Sequence, residues 1–187
     1  SSAASDVYKR QLIGHEMGAA IIADLAERYP NYVSSLIMVT PTSIEGELPE
    51  ERLFRKYSHK IRNWDDEKQN KFLEKHRYYK PRKINKFLKH VEDTNAISTK
   101  EETQAIEDVF KETAISSVFE HVTKPTLIIA GEHGERITTL ESKEVADLVK
   151  ESQFDVYAQS SLYPFEEEKD KFIEDITPFI KKYMPEH

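Results

Sequence analysis

"LIGHEMGAAIIADLAERYP", Leu12 to Pro30, decides how the chain is read. Leu12-Ile13-Gly14 is the end of a short apolar strand. The chain turns at Gly14-His15-Glu16-Met17-Gly18, and Met17 to Tyr29 then runs on as a helix that is apolar nearly all round, which predicts a central, buried position. Gly-x-X-x-Gly between a strand and a helix is the spacing of a nucleophile elbow, a sharp turn that presents X above the end of a sheet. X is ordinarily a reactive serine; here it is Glu16.

Further strand-like segments flank this block. Val33 to Thr40, "VSSLIMVT", and Pro125 to Ala130, "PTLIIA", are apolar runs rich in β-branched residues, as buried parallel strands require. Phe154 to Ala158, "FDVYA", is weaker. Leu140 to Glu151 carries Val145, Leu148 and Val149 on one helical face. Phe165 to Met184 places Phe172, Ile176, Phe179, Ile180 and Tyr183 in one amphipathic stripe and predicts a helix over that whole length. Strands alternating with helices predict a parallel α/β sheet. Residues 43–122 interrupt the alternation and read as an all-helical insertion. Its anchors are the apolar pairs Leu53–Phe54, Phe72–Leu73, Phe87–Leu88 and Val109–Phe110, and Ser98 to Glu101 is a capping box that starts one of its helices.

Composition excludes several chemistries. The chain has 187 residues, enough for one domain, and no cysteine, so disulfides, a thiolate nucleophile and the usual structural zinc sites are out. Zero cysteines also fit a reducing, cytoplasmic compartment. Charged residues make up 33%, which predicts a thin core. No apolar run is long enough for a transmembrane span. No phosphate-binding glycine loop, dinucleotide fingerprint or metal-ligand spacing occurs, so neither a cofactor nor a metal is expected. The first eleven residues, "SSAASDVYKRQ", match the in-frame translation of a transposase-library sequencing adapter. Residues 1–11 are therefore read as non-native, with native sequence from Leu12.

Four blocks in order resemble the α/β-hydrolase superfamily. "LIGHEMGAAIIADLAERYPNYVSSLIMVTP" is similar to its elbow, central helix and next strand (12–42), and residues 43–122 stand where its helical cap stands. "KPTLIIAGEHGERIT" resembles the strand and loop that carry the catalytic acid, and "SSLYPFEEEKDKFIEDITPFI" the histidine loop and last helix, within a C-terminal core of 123–187. The resemblance implies a partial α/β-hydrolase fold with four mostly parallel strands, flanking helices and a helical cap. It also implies a Ser-Asp-His triad, and all three positions differ. The nucleophile position is Glu16, the acid position is Gly134 and the histidine position is Leu162. A triad needs a nucleophile, a base within reach and a group that orients the base.

Two functional readings of Glu16 follow, beside a third in which it is only a tolerated elbow residue and the chain has no activity. In the favoured one the chain is a pseudoenzyme whose core/cap pocket binds a small molecule or a partner, with Glu16 held by the helix terminus or paired with a cation from the cap. In the alternative, Glu16 is a carboxylate nucleophile, as in the related dehalogenases and epoxide hydrolases. His133 then serves as a substitute base oriented by Glu132 or Glu135, or Glu135 takes the acid role.

The remaining signals read as structural. His15 is expected to face away from the site, and Gly14, Gly18 and Gly131 to meet backbone requirements at tight turns. Residues 51–90 hold 14 Lys or Arg against 5 Asp or Glu, a net +9 in a chain of net −7, which leaves −16 elsewhere. Solvated faces of cap helices explain this stretch better than nucleic-acid binding, which is not expected; a softer reading is attraction of anionic ligands. The resemblance also makes the elbow strand an open sheet edge, with Asp6 to Gln11 extending it and self-association through it expected.

Overall fold

A computed structural model describes residues 8–80 and 114–184. Their four strands form one parallel sheet in the order β1-β2-β3-β4: β1 (Arg10–His15), β2 (Val33–Val39), β3 (Thr126–Gly131) and β4 (Ser152–Tyr157). The connections carry α1 (Gly18–Arg28), then α2 (Pro49–Ile61), α3 (Asp66–Lys75) and α4 (Ile115–Glu120), then α5 (Thr139–Leu148). After β4 come a single turn, α6 (Pro164–Glu167), and the long α7 (Lys169–Lys182).

The alternation of side chains along β2 builds two cores. Leu36 and Met38 point to one face, where they pack with Ala19, Ala23 and Ala26 of α1, Phe119 of α4 and Val145 of α5. Ile37 and Val39 point to the other, against Tyr157, Phe172 and Phe179. A sheet that advances steadily in one direction through right-handed crossovers keeps its crossover helices on one face. That is why α1, α4 and α5 share a layer and the terminal α7 covers the opposite side. The small residues of α1 let it lie close on the sheet: Ala19 and Ala23 are fully buried. Tyr157 anchors α7 by donating from its hydroxyl to Asp175 at 2.7 Å.

Helices α2 and α3 have a small core of their own, Leu53, Ile61 and Leu73, edged by Tyr57, Trp64 and Phe72. Asp65 caps α3 by accepting from the Lys68 amide at 2.8 Å. The capping box at Ser98 and the anchors Phe87–Leu88 and Val109–Phe110 lie outside the described residues. Within the stretch read as insertion, α4 joins the main core: Ile115, Phe119 and Val122 pack with α1 rather than with α2 and α3.

The helix expected over Phe165 to Met184 is broken at Glu168. Glu168 leaves helical geometry (φ −133°, ψ 57°) because its carboxylate reaches back to the Gln159 amide at 3.1 Å and the Ser160 hydroxyl at 2.7 Å. Side-chain bonds to the preceding loop win over helix continuation. At the other end, α5 starts on a capping box of Thr138 and Glu141, a T-x-x-E signal present in the sequence but not used in reading it. β1 occupies an edge of the described sheet, begins at Arg10 and leaves Ile13 55% exposed. No helix among the described residues is long and apolar enough to cross a membrane.

Phe119 is fully buried where α1, α4 and the sheet meet. Phe119→Ala is expected to cost about 3–5 kcal/mol of stability, read as a lower urea midpoint, since the cavity it leaves is lined by fixed backbone elements.

Candidate functional site

Gly14 to Gly18 form a sharp turn between β1 and α1. Glu16 adopts φ 53°, a left-handed conformation that a non-glycine residue holds only at a cost, and its amide donates to the Val39 carbonyl at 3.0 Å. Helix α1 then starts with Ala19 N–H on the Glu16 carbonyl at 3.2 Å. Gly14 is obligatory here: a Cβ on it would lie 2.5 Å from the Gly18 carbonyl oxygen. Gly131 is likewise closed in by the Ser161 backbone. Gly18 differs from its expected role, because a Cβ there would touch nothing within 4 Å.

What Glu16 meets is a cation from the acid-bearing loop and not from the cap. Arg136 Nε lies 2.9 Å from Glu16 Oε1, with the two side chains only 13% and 18% exposed. The same guanidinium extends Nη1 to Glu50 Oε2 at 2.7 Å, at the start of α2. Glu50 Oε1 in turn accepts from Arg77 Nη2 at 3.3 Å, just beyond α3. The chain Glu16–Arg136–Glu50–Arg77 thus ties elbow, acid loop and cap together. Burial works against the charge on Arg77, but Glu50 and then Tyr163 more than offset it and raise its pKa above the ordinary value.

Gly134, where the resemblance places the acid, has no room for a side chain. Gly134 sits in a tight turn, its amide on the Gly131 carbonyl at 3.2 Å, and a Cβ on it would come within 2.1 Å of the Ile137 carbonyl oxygen. Leu162, where the resemblance places the histidine, is 1% exposed. Its amide donates to the Arg77 carbonyl at 3.0 Å, and its carbonyl accepts from His15 Nε2 at 2.7 Å. That bond requires the tautomer with the proton on Nε2. His15 also packs on Tyr163 and Phe165, so it braces the loop that holds Leu162. Glu167 shapes the same loop, accepting from the Ser161 and Tyr163 amides at 2.9 and 3.1 Å, and reaches the cap through the Tyr79 amide at 2.8 Å.

The substitute residues read from the sequence have other partners. His133 stacks on Tyr79 at 3.7 Å between ring centroids, and its Nε2 lies 3.9 Å from Glu132. Glu135 turns to the cap. It accepts from Tyr57 Oη at 2.5 Å, from Lys56 Nζ at 3.2 Å and from His76 Nδ1. Among the described residues neither His133 nor Glu135 makes an ion pair or hydrogen bond with Glu16. Burial opposes ionisation of Glu135, but the donors from Tyr57, His76 and Lys56 outweigh it and hold its carboxyl below the usual range. Burial, and then Glu135 itself, push the Tyr57 hydroxyl up to about 12. Beside the elbow, a cavity lined in part by Met17, Ala20, Thr42 and Ile115 has a volume of about 20 Å³. That is room for one water and no substrate.

The esterase EaEST from Exiguobacterium antarcticum superposes with a TM-score of 0.74 at 15% identity, over 96% of this chain and 69% of that one. The meta-cleavage product hydrolase CumD from Pseudomonas fluorescens IP01 gives 0.69 at 15%, over 97% and 68%. An α/β fold family hydrolase from Bacillus anthracis str. Sterne gives 0.67 at 16%, over 95% and 69%. The chain has the α/β-hydrolase fold. No family model matches it, and no curated protein matches it in sequence. At such identities the likeness establishes the α/β-hydrolase fold, and what the fold does here rests on the site.

Arg136, Glu50, Arg77 and His76 were not singled out from the sequence. In a chain that is one-third charged nothing marks which charges pair across 120 residues. A lone arginine two places after the acid position was the available signal.

Two outcomes test this geometry. Gly134→Asp is expected to destabilise the protein by about 1–3 kcal/mol in urea unfolding, since the loop must shift to admit the side chain. The Glu135 carboxyl is held below its ordinary value of 4.5, so its contribution is present above that pH and is lost as the pH falls through the depressed folded value. In Glu135→Gln the fall in melting temperature between about pH 5 and pH 3 should be shallower than in the parent.

Proposed function

We propose that this chain is a non-hydrolytic protein on the α/β-hydrolase scaffold, a pseudohydrolase whose seam between sheet and cap holds a small molecule without cleaving it. The observation that carries the reading is the Arg136–Glu16 contact of 2.9 Å at the elbow. A nucleophile must be free to approach carbon and must have a base at hand. Glu16 instead faces a guanidinium, and the two positions that would supply orienting acid and base hold Gly134 against backbone and Leu162 in the core. Loss at three separate places, with one of them sterically closed, fits a site turned from chemistry to binding or architecture. The cap's positive charge gives the seam a preference for anions.

One observation favours the carboxylate-nucleophile alternative. Glu16 keeps the strained φ of 53° that an elbow imposes on its reactive residue. Such an enzyme would also need a base to hydrolyse its ester intermediate, and the neighbours of His133 are Tyr79 and Glu132.

The test is turnover of p-nitrophenyl acetate and styrene oxide by the protein and by Glu16→Gln. The expected result is no rate above buffer for either. A rate in the parent that Glu16→Gln abolishes would establish the nucleophile reading and end this one.

A further inference from the structure

The contact between cap and core at Glu50 has the form of a bound ligand. Two guanidiniums from separate segments, Arg136 of the acid loop and Arg77 after α3, converge on the one carboxylate, at 2.7 and 3.3 Å. The Arg136 side chain is 13% exposed, Arg77 29% and Glu50 36%. Glu50 is therefore the most exposed member of the ion-pair chain.

The guanidiniums are also incompletely used. Arg77 Nε is buried with no hydrogen-bond acceptor, and Arg136 Nε meets Glu16 at 2.9 Å as an ion pair without an aligned hydrogen bond. Glu50 Oε2 likewise lacks an aligned hydrogen bond despite its 2.7 Å approach to Arg136. Buried donors without acceptors cost stability, and planar guanidinium forks are built for oxyanions that accept two parallel bonds. One carboxylate stretched between two forks satisfies neither. With Glu50 withdrawn, Arg136 keeps Glu16 and Arg77 keeps Tyr163, which leaves two guanidiniums against one carboxylate beside a strongly basic stretch of sequence.

We infer that Arg136 and Arg77 form a binding site for the oxyanion head of a small molecule, carboxylate or phosphate, and that Glu50 is the chain's own stand-in for it. Glu50 competes with the ligand, so the resting protein holds its seam closed and binds only what outcompetes an internal carboxylate. Glu16 anchors Arg136 from below and keeps its fork facing outward. The inference rests on the binding half of the function proposed above and is independent of whether any substrate is cleaved.

The experiment titrates inorganic phosphate and, separately, succinate into the full chain and into Glu50→Gln. Ionic strength is held constant and chloride is the control, with affinity read by calorimetry. Glu50→Gln should bind one of the two oxyanions about tenfold more tightly than the parent, the worth of one charge-assisted bond regained. The double variant Glu50→Gln/Arg136→Gln should lose that gain, and whichever oxyanion binds names the head group. A folded Glu50→Gln with no gain over the parent, or a gain that survives loss of Arg136, overturns the site. If Glu50→Gln does not fold, the Nε–H resonances of Arg136 and Arg77 in the parent decide. Saturable shifts with phosphate or succinate and none with chloride support the site; unmoved resonances overturn it. Hydrolysis assayed in the same samples separates the two proposals. Turnover alongside saturable binding removes the non-hydrolytic reading alone, and absence of both removes this site alone.

Discussion

Arg136 is the constraint on which the rest of the site depends. A guanidinium this far from water is tolerable only with counter-charges in contact, because an unpaired buried charge costs several kcal/mol. The loop that carries Arg136 comes off β3, so the arginine arrives at the sheet end beside the elbow whatever else happens. Two carboxylates answer it: Glu16 from below and Glu50 from the cap. Once Glu16 is committed to this pair, the turn at the end of β1 presents a carboxylate already in contact with a guanidinium. Once Glu50 is committed, the first turn of the cap helix is drawn down over the sheet. The position of α2 over the sheet and the pairing of Glu16 share this one cause.

The uneven charge of the chain is explained by the same seam. The basic stretch of the cap is opposed by acidic groups of the core. Arg52 meets Glu141 at 2.5 Å, where the Thr42 hydroxyl also donates at 2.9 Å, and Lys56 meets Glu135 at 3.2 Å. Glu141 does double duty, since its other oxygen accepts from the Thr138 amide at 2.7 Å and caps α5. The pairs differ in weight. Lys56 is half exposed and contributes little on its own, whereas Arg52 and Glu141 are 15% and 7% exposed and cannot be separated without leaving a buried charge. Other basic residues lie over aromatic rings, Lys68 over Trp64 and Lys60 over Phe72, and so extend the apolar face of the cap.

The scaffold was legible because it is written in local patterns. β-branched runs marked β2 and β3, the alanine-rich run marked α1, and the glycine spacing marked the elbow down to the residue at its apex. Gly134 and Leu162 stand in blocks that the resemblance also covers. The ion-pair chain was not legible. Glu16, Glu50, Arg77 and Arg136 have no periodic relation, and an ion pair between distant segments leaves no trace in one sequence. The break at Glu168 was hidden likewise, since an unbroken amphipathic stripe cannot reveal that one carboxylate prefers the amide of Gln159 and the hydroxyl of Ser160. The cation for Glu16 was sought in the basic cap, where the charge count pointed, and came from a loop in the acidic core.

A double-mutant cycle on Arg136 and Glu16 tests the central claim most directly. Stabilities of the parent, Arg136→Gln, Glu16→Gln and the double variant would be measured by urea unfolding. The account predicts that the double variant is less destabilised than the sum of the singles, with a coupling of about 1–3 kcal/mol for two partly buried charges in contact. Strict additivity, with both singles mild, would contradict it: Arg136 would then be incidental to the elbow, and cap closure would need another cause.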